Sequence, residues 1–228
     1  DIRKMPLLGF DGFCQVVGKF NGKLLMLKET LSTLCCAPPG TGKTTIAKVI
    51  ANTTKADFKQ INATVANKKD MEDVVEAAKQ SSAMFGKRTI LFIDEIHRFN
   101  KAQQDYLLPF VEDGTLILIG ATTENPYFEV NKALLSRSVI FELKPLETED
   151  IKELILRAVN DNERGMGSYN AVIDDDALEF IATLAAGDAR NALNAIELGI
   201  LTTDRSDDGK IHITLDVAQQ CIQKKALK

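Results

Sequence analysis

The chain has 228 residues, 45% hydrophobic and 26% charged. That allows one large domain or one domain with a small companion, and it excludes a disordered, collagen-like or disulfide-scaffold protein. The net charge of −4 argues against passive coating of nucleic acid, which works by neutralising many phosphates, but not against a local basic patch.

Residues 1–30 hold no period, because Gly9, Gly12, Gly18 and Gly22 interrupt it. From Leu31 onward the pattern alternates. Leu31–Cys36 predicts a short strand, Thr44–Asn52 a helix with Ile46, Val49 and Ile50 at helical spacing, Asp57–Ile61 a strand, and Asp70–Ala83 an amphipathic helix. Arg88–Ile93 predicts a strand covered on both faces, since Thr89 to Ile93 is an almost unbroken apolar run. Lys101–Val111 predicts a helix ended by Glu112-Asp113-Gly114, and Thr115–Ile119 a further buried strand. Strand and helix alternating at this spacing predict a parallel α/β sheet. Past Lys144-Pro145 the pattern changes. Glu149–Asn160, Asp174–Ala186 and Ala189–Thr202 read as helices with no strands between them, with Thr148 and Asp174 as caps of the first two and Asp161–Ala171 as a polar loop. The expected division is an α/β domain over 1–145 and a small helical domain over 146–228.

No apolar run approaches the ~18 residues of a membrane span. The first twenty residues lack the charged-then-apolar order of an export signal, so a cytoplasmic chain is expected. Cys14, Cys35, Cys36 and Cys221 form no CxxC pair and are expected to be reduced thiols. The Asn52 and Asn62 sequons then carry no glycan.

The chemistry concentrates in two segments. Ala37-Pro38-Pro39-Gly40-Thr41-Gly42-Lys43-Thr44-Thr45 lies between a predicted strand and a predicted helix, the context a phosphate loop requires. Backbone N–H groups of a Gly-rich turn surround a phosphate, and the helix N-terminus adds a favourable dipole. Lys43 would reach the β- and γ-phosphates, and the Thr44 hydroxyl would ligate Mg²⁺. Ala37 stands where the first glycine usually does, which suits a negative φ only. In the second segment, the apolar run Ile90–Ile93 carries Asp94-Glu95 to its C-terminal end, the edge where parallel sheets bind ligands. Asp94 would hold Mg²⁺, mostly through water, and Glu95 would polarise the attacking water; taken alone, the pair reads as a solvated helix start. The strand over 115–119 ends in Gly120-Ala121-Thr122-Thr123-Glu124-Asn125-Pro126 at the same edge, where Thr123 can contact the γ-phosphate and the water, with Thr122 one residue off.

These segments resemble the AAA+ ATPases, and within them the clamp-loader-like RarA/MgsA family, whose eukaryotic relatives are the Werner-helicase-interacting proteins. The resemblance is carried by Thr89 to Asp105 with its His97-Arg98-Phe99-Asn100-Lys101 core, by Ile119 to Pro126, by Ala133-Leu134-Leu135-Ser136-Arg137 and by Gly187-Asp188-Ala189-Arg190. It implies an α/β P-loop NTPase fold with a parallel sheet flanked by helices and a small all-helical lid. It also implies Mg²⁺-dependent ATP hydrolysis at subunit interfaces, acting on DNA at stalled replication forks. Lys43 and Thr44 match the Walker A pair, Asp94 and Glu95 the Walker B pair, and Thr123 resembles sensor 1. Arg137 resembles an arginine finger serving a neighbouring subunit, and Arg190 the sensor 2 arginine of the lid; without the resemblance they read as a surface salt bridge and a helix-surface charge. Asn62 would restrain Glu95 before DNA binds. The implied partners are single-stranded or forked DNA, a single-stranded-DNA-binding protein, and further copies of the chain, a tetramer in the full-length protein, through a C-terminal oligomerisation region absent here. The implied setting is the bacterial nucleoid.

The N-terminal part departs from the family. Cys14-Gln15 replaces a Gly-Gln of the adenine pocket, and Gly22–Ala37 is several residues short. With Ala37, this raises a second reading: a nucleotide-gated assembly module with little hydrolysis. Asp94-Glu95-Ile96-His97 also fits a DExH helicase box, but that group needs a second RecA-like domain for which 228 residues leave no room. His97 and His212 read as non-metal histidines. Lys68-Lys69, Lys87-Arg88 and Arg98–Lys101 are candidate phosphate contacts or solvated charges.

Overall fold

The computed structural model describes residues 32–226, with side chains through Ile222. The expectations for Cys14-Gln15, for residues 1–30 and for a strand start at Leu31 fall outside the described residues. The described chain divides into two compact units that meet in sequence at Lys144 and Pro145.

The first unit is a five-stranded parallel sheet of β1 (Ser32–Cys36), β2 (Asp57–Asn62), β3 (Thr89–Asp94), β4 (Leu116–Thr122) and β5 (Ser138–Glu142), in the order β2-β3-β4-β1-β5. Its helices are α1 (Lys43–Thr54), α2 (Lys68–Phe85), α3 (Lys101–Glu112) and the short α4 (Pro126–Glu129) and α5 (Lys132–Leu135). The period of two along β3 explains the unbroken apolar run. Leu91 and Ile93 join Met71, Val75 and Leu107 on the side of α2 and α3, while Ile90 and Phe92 join Ala47 and Ala51 on the side of α1. Full burial of a side chain such as Phe92 contributes about 1.5–3 kcal/mol. Adjacent Cys35 and Cys36 face opposite ways, Cys35 buried and Cys36 partly exposed.

Local chemistry sets the helix starts. Asn67 accepts from the Asp70 N–H at 3.1 Å, and the Asp70 carboxylate accepts from the Asn67 N–H at 2.8 Å. This capping box begins α2 at Lys68, two residues before the apolar period becomes visible. Asn100 and Gln103 form the same box for α3. α2 ends at Gly86, whose φ of +60° a side-chain-bearing residue adopts only under strain. β5 escaped the sequence reading because it is a partly exposed edge strand, without the buried run that marks β3.

The second unit packs α6 (Thr148–Asn160), α7 (Asp175–Leu184), α8 (Ala189–Thr202) and α9 (Leu215–Ala226) around a core of Ile151, Leu154, Ile155, Ile181, Ile196 and Ile200. The expectation of no strands between these helices is corrected: β6 (Ala171–Ile173) pairs in parallel with β7 (Ile211–Ile213), each too short for a sequence period. The caps shift in part. Asp174 is the N-cap of α7 as expected, whereas Glu147 rather than Thr148 caps α6, the Asp150 carboxylate accepting from its N–H at 3.2 Å. α7 stops short of Ala186 because Ala186 and Gly187 take positive φ; a Cβ on Gly187 would lie 2.6 Å from Pro145 Cβ and 2.9 Å from the Leu146 carbonyl oxygen.

Candidate functional site

Three parallel strands deliver the candidate residues to one edge. β1 runs into the loop 37–42, β3 ends at Asp94, and β4 ends at Thr122 between them. Ala37 is tied to that edge by its N–H, which donates to the Thr122 carbonyl at 3.1 Å. Its φ is negative and its methyl is buried, so alanine fits where the family has glycine. Gly40 and Gly42 do take positive φ, +73° and +86°, and Gly42 caps α1. Pro38 and Pro39 are exposed, and the Thr41 hydroxyl donates to the Pro38 carbonyl at 2.9 Å.

The start of α1 differs from that of α2 and α3. No side chain caps it and its first turn holds no acidic residue, so its orphan N–H groups have no acidic side chain to satisfy them. An anion is the chemical complement of that arrangement. Lys43 is buried, and its ammonium donates to the Ala37 carbonyl at 2.7 Å and the Pro38 carbonyl at 2.9 Å. Burial pushes the Lys43 ammonium below the usual lysine range, while Glu95 and then Asp94 pull it back up. Thr44 and Thr45, next on α1, are half-buried.

Asp94 closes β3 opposite Asn62 of β2 and is partly exposed. Glu95 follows with φ of 54° and ψ of 45°, a left-handed conformation costly for a residue with a side chain. The turn is pinned from below. Ile96 is fully buried against Gly120 of β4, where a Cβ would come within 2.9 Å of Ile96 Cδ1. The Glu95 carboxylate stands 3.4 Å from the Thr123 hydroxyl and 3.4 Å from His97 Nδ1. Thr123 is exposed; Thr122 is fully buried, its hydroxyl accepting from the Glu124 N–H at 3.0 Å and donating to the Glu124 carbonyl at 3.3 Å. Of the two threonines, it is therefore Thr123 that faces Glu95.

The remaining predicted residues have the following surroundings. Arg137 is exposed between α5 and β5, paired with Glu112 at 2.6 Å and donating to the Ala133 carbonyl at 2.9 Å. Arg190 is exposed on the first turn of α8, in the second unit. The Asn62 carboxamide oxygen accepts from the Thr64 N–H at 2.9 Å and hydroxyl at 2.7 Å, whereas the described partners of Glu95 are Thr123 and His97. Of the basic candidates, Lys68 pairs with Glu72 and Lys87 with Asp57. His212 contacts Asp208. His97, which sequence reasoning set aside, proves to be part of the Glu95 surroundings; its three-residue spacing after Asp94 was the available signal. No helix among the described residues is long and apolar enough to cross a membrane.

The chain belongs to the ATPase family associated with various cellular activities (AAA), which matches residues 33–146, and the AAA C-terminal domain matches residues 167–228. Within that family the resemblance to the replication-associated recombination protein A group is borne out. The chain is 49% identical over 208 residues to replication-associated recombination protein A of Bacillus subtilis (strain 168), covering 91% of this chain and 48% of that protein. It is 49% identical over 179 residues to the protein of the same name from Escherichia coli (strain K12), covering 78% of this chain and 40% of that one. To ATPase WRNIP1 of Dictyostelium discoideum it is 44% identical over 178 residues, covering 78% of this chain and 20% of the relative. The chain thus spans half or less of the length of these relatives. Among solved structures, the Thermotoga maritima RuvB Holliday junction branch migration motor superposes with a TM-score of 0.68 at 28% identity, over 95% of this chain and 70% of that one. The expected parallel α/β P-loop fold is the fold observed, and the C-terminal part expected to be all-helical is helical apart from the β6–β7 pair.

Proposed function

We propose that this chain is the ATP-hydrolysing part of a cytoplasmic, oligomeric protein that works on DNA at stalled replication forks. Residues 1–145 would form its nucleotide-binding domain and 146–228 its lid. The observation that carries the hydrolytic reading is the convergence of Lys43, Asp94, Glu95 and Thr123 at one sheet edge beside an uncapped helix start. The DNA and assembly parts rest on the names of the relatives and on Arg137, which has no described contact with the loop 37–42 and suits service to a neighbouring subunit's nucleotide.

In this reading Pro38 to Gly42 wrap the phosphates and the N–H groups at the start of α1 face them. Lys43 exchanges its loop carbonyls for phosphate oxygens, a stronger, charge-assisted contact. Thr44 and Asp94 would hold Mg²⁺, which when bound neutralises charge on the phosphate oxygens. Glu95 accepts a proton from the attacking water as it adds to the γ-phosphorus, Thr123 orients that water, and ADP leaves. Arg137 in trans and Arg190 from the lid would offset the charge that develops. Thr45, next to Thr44, would complete the set of nucleotide-binding residues. The negative φ of Ala37 removes the local objection to hydrolysis that its methyl raised.

The test is steady-state ATPase activity with and without single-stranded and forked DNA, on the wild type and on Glu95→Gln. The variant should bind ATP as well as the wild type and turn it over about 10²-fold or more slowly. Equal turnover would overturn the role of Glu95, and a wild type that binds ATP without hydrolysing it, at any protein concentration and with either DNA, would overturn the enzyme reading.

A further inference from the structure

Beside the proposed water-activating carboxylate lies a buried imidazole that this chemistry does not use. The His97 side chain is only 8% exposed, and its Nδ1 stands 3.0 Å from Thr122 Oγ1 and 3.4 Å from Glu95 Oε2. The acceptors around Nδ1 favour one tautomer, with the hydrogen on that nitrogen. The Thr122 hydroxyl spends its own proton on the Glu124 carbonyl and one lone pair on the Glu124 N–H, leaving a lone pair toward Nδ1. The Glu95 carboxylate is an acceptor only. With the Thr122 proton on the Glu124 carbonyl, an unprotonated Nδ1 would face a lone pair on each side, an arrangement that favours the hydrogen on Nδ1, shared between them.

We propose that His97 is a positioning residue for Glu95: its Nδ1–H links the carboxylate to the end of β4 and fixes where that carboxylate points. This deepens the proposed hydrolytic role of Glu95 and rests on it. The need for a tether follows from the backbone. Glu95 sits in the left-handed region at φ 54°, where local geometry holds the side chain only through what surrounds it. Ile96 anchors the turn from the core and the imidazole anchors the carboxylate from the other side. Thr122 is also the residue before Thr123 and holds the Ala37 N–H through its carbonyl. Through His97, a displacement of the phosphate loop or of the end of β4 is passed to Glu95 by a hydrogen bond rather than through solvent.

The test separates this role from simple packing. An asparagine amide can occupy the position of Nδ1–H but not of Nε2, a glutamine amide reaches toward Nε2 instead, and leucine fills the space with no donor. His97→Asn should retain most of the turnover. His97→Gln and His97→Leu should lose roughly tenfold or more in kcat, within the range that a ~1 Å misplacement produces, with ATP affinity unchanged. A packing role predicts the reverse order, because asparagine is the smallest of the three. In a Glu95→Gln background, His97→Gln should cost nothing further, as expected of residues acting through one contact. A second readout needs no turnover. The chain holds two histidines, so a long-range ¹H–¹⁵N correlation spectrum of the wild type, assigned with His212→Asn, reports the tautomer of His97 directly. The Nδ1–H form is expected. The Nε2–H form, or an asparagine variant as damaged as the leucine one, overturns the proposal. A wild type without ATPase activity overturns the hydrolytic reading instead, and the spectrum still decides whether the tether exists.

Discussion

Gly120 tests the link between core packing and the acidic pair. It lies in β4, and a Cβ built there would stand 2.6 Å from Leu34 Cδ2 and 2.9 Å from Ile96 Cδ1. Ordinary carbon contacts begin near ~3.5 Å, so alanine leaves shortfalls of about 0.9 and 0.6 Å. Leu34 and Ile96 are both fully buried and can retreat only by disturbing their own neighbours. Overpacking of this kind costs about 1–3 kcal/mol. Replacing glycine narrows the unfolded chain's freedom and returns about 0.4–1 kcal/mol. Gly120→Ala should therefore destabilise by about 1–2 kcal/mol, read as a lowered urea midpoint at constant slope. Ile96 directly follows Glu95, so the displaced side chain moves the turn that carries the proposed water-activating carboxylate, and kcat should fall while ATP affinity holds. Gly86→Ala is the control: its φ of +60° brings strain of about 1 kcal/mol, but its Cβ would meet nothing within 4 Å and it ends α2 away from the site. It should lose stability and keep turnover. If Gly120→Ala loses stability but hydrolyses ATP like Gly86→Ala, the buried contact under Ile96 does not position Glu95.

Lys43→Ala should weaken ATP binding about 10–100-fold, the equivalent of one charge-assisted hydrogen bond; titration calorimetry against Glu95→Gln, which should bind normally, checks the division of roles. Burial pushes the Cys35 thiol from 9.0 to about 12, so the unfolded chain releases this proton before the folded one does. The stability it contributes is complete below pH 9 and is lost as pH rises toward 12: relative to Cys35→Ala, the wild type should lose up to about 1.4 kcal/mol per pH unit across that window in urea titrations. In an assembled form, Arg137→Ala should lose most hydrolysis, an arginine finger being worth roughly 10³–10⁵, and mixing it with Lys43→Ala subunits should restore part of the activity; mixed oligomers as inactive as either parent would refute action in trans.

The parts of the fold legible in the sequence were those in which one physical cause dominates. β3 announced itself because strands covered on both faces leave an unbroken apolar run, and α1 because glycines and a lysine precede a period of apolar residues. β5, β6 and β7 did not, because an exposed edge and three-residue strands carry no period to read. The start of α2 is written in Asn67 and Asp70 as a capping box, ahead of Met71, the first apolar position of its period. At the candidate site, spacing along the chain singled out Lys43, Asp94, Glu95 and Thr123, which the fold brings to one sheet edge. It could not show that Thr122 turns inward and Thr123 outward, or that His97 folds back onto Glu95, because both depend on the register between β3 and β4. Arg137 was readable as a motif, but its pairing with Glu112 joins residues that only the fold brings together.

In the proposed mechanism, the charges at the sheet edge make the subunit alone a poor catalyst. The edge supplies one ammonium, Lys43, against the carboxylates of Asp94 and Glu95, with Glu124 and Glu142 close to Cys36 beside them, so carboxylates outnumber the ammonium before any nucleotide arrives. Loop N–H groups and the start of α1 contribute only partial positive charge, of order half a unit for a helix end. In the proposed mechanism a triphosphate would therefore enter a pocket whose fixed charge does not match it. The deficit has to be met by a divalent ion and by cations from outside the pocket. The two arginines singled out by their motifs are the available candidates: Arg137 is held by Glu112, and Arg190 is exposed on the first turn of α8. Exposed ion pairs such as Arg137–Glu112 contribute little to stability, typically up to ~1 kcal/mol, so giving this one up for a phosphate costs little. In the proposed mechanism, binding is set by groups within one subunit and hydrolysis by charge brought from beyond it. Turnover then depends on assembly more steeply than affinity does.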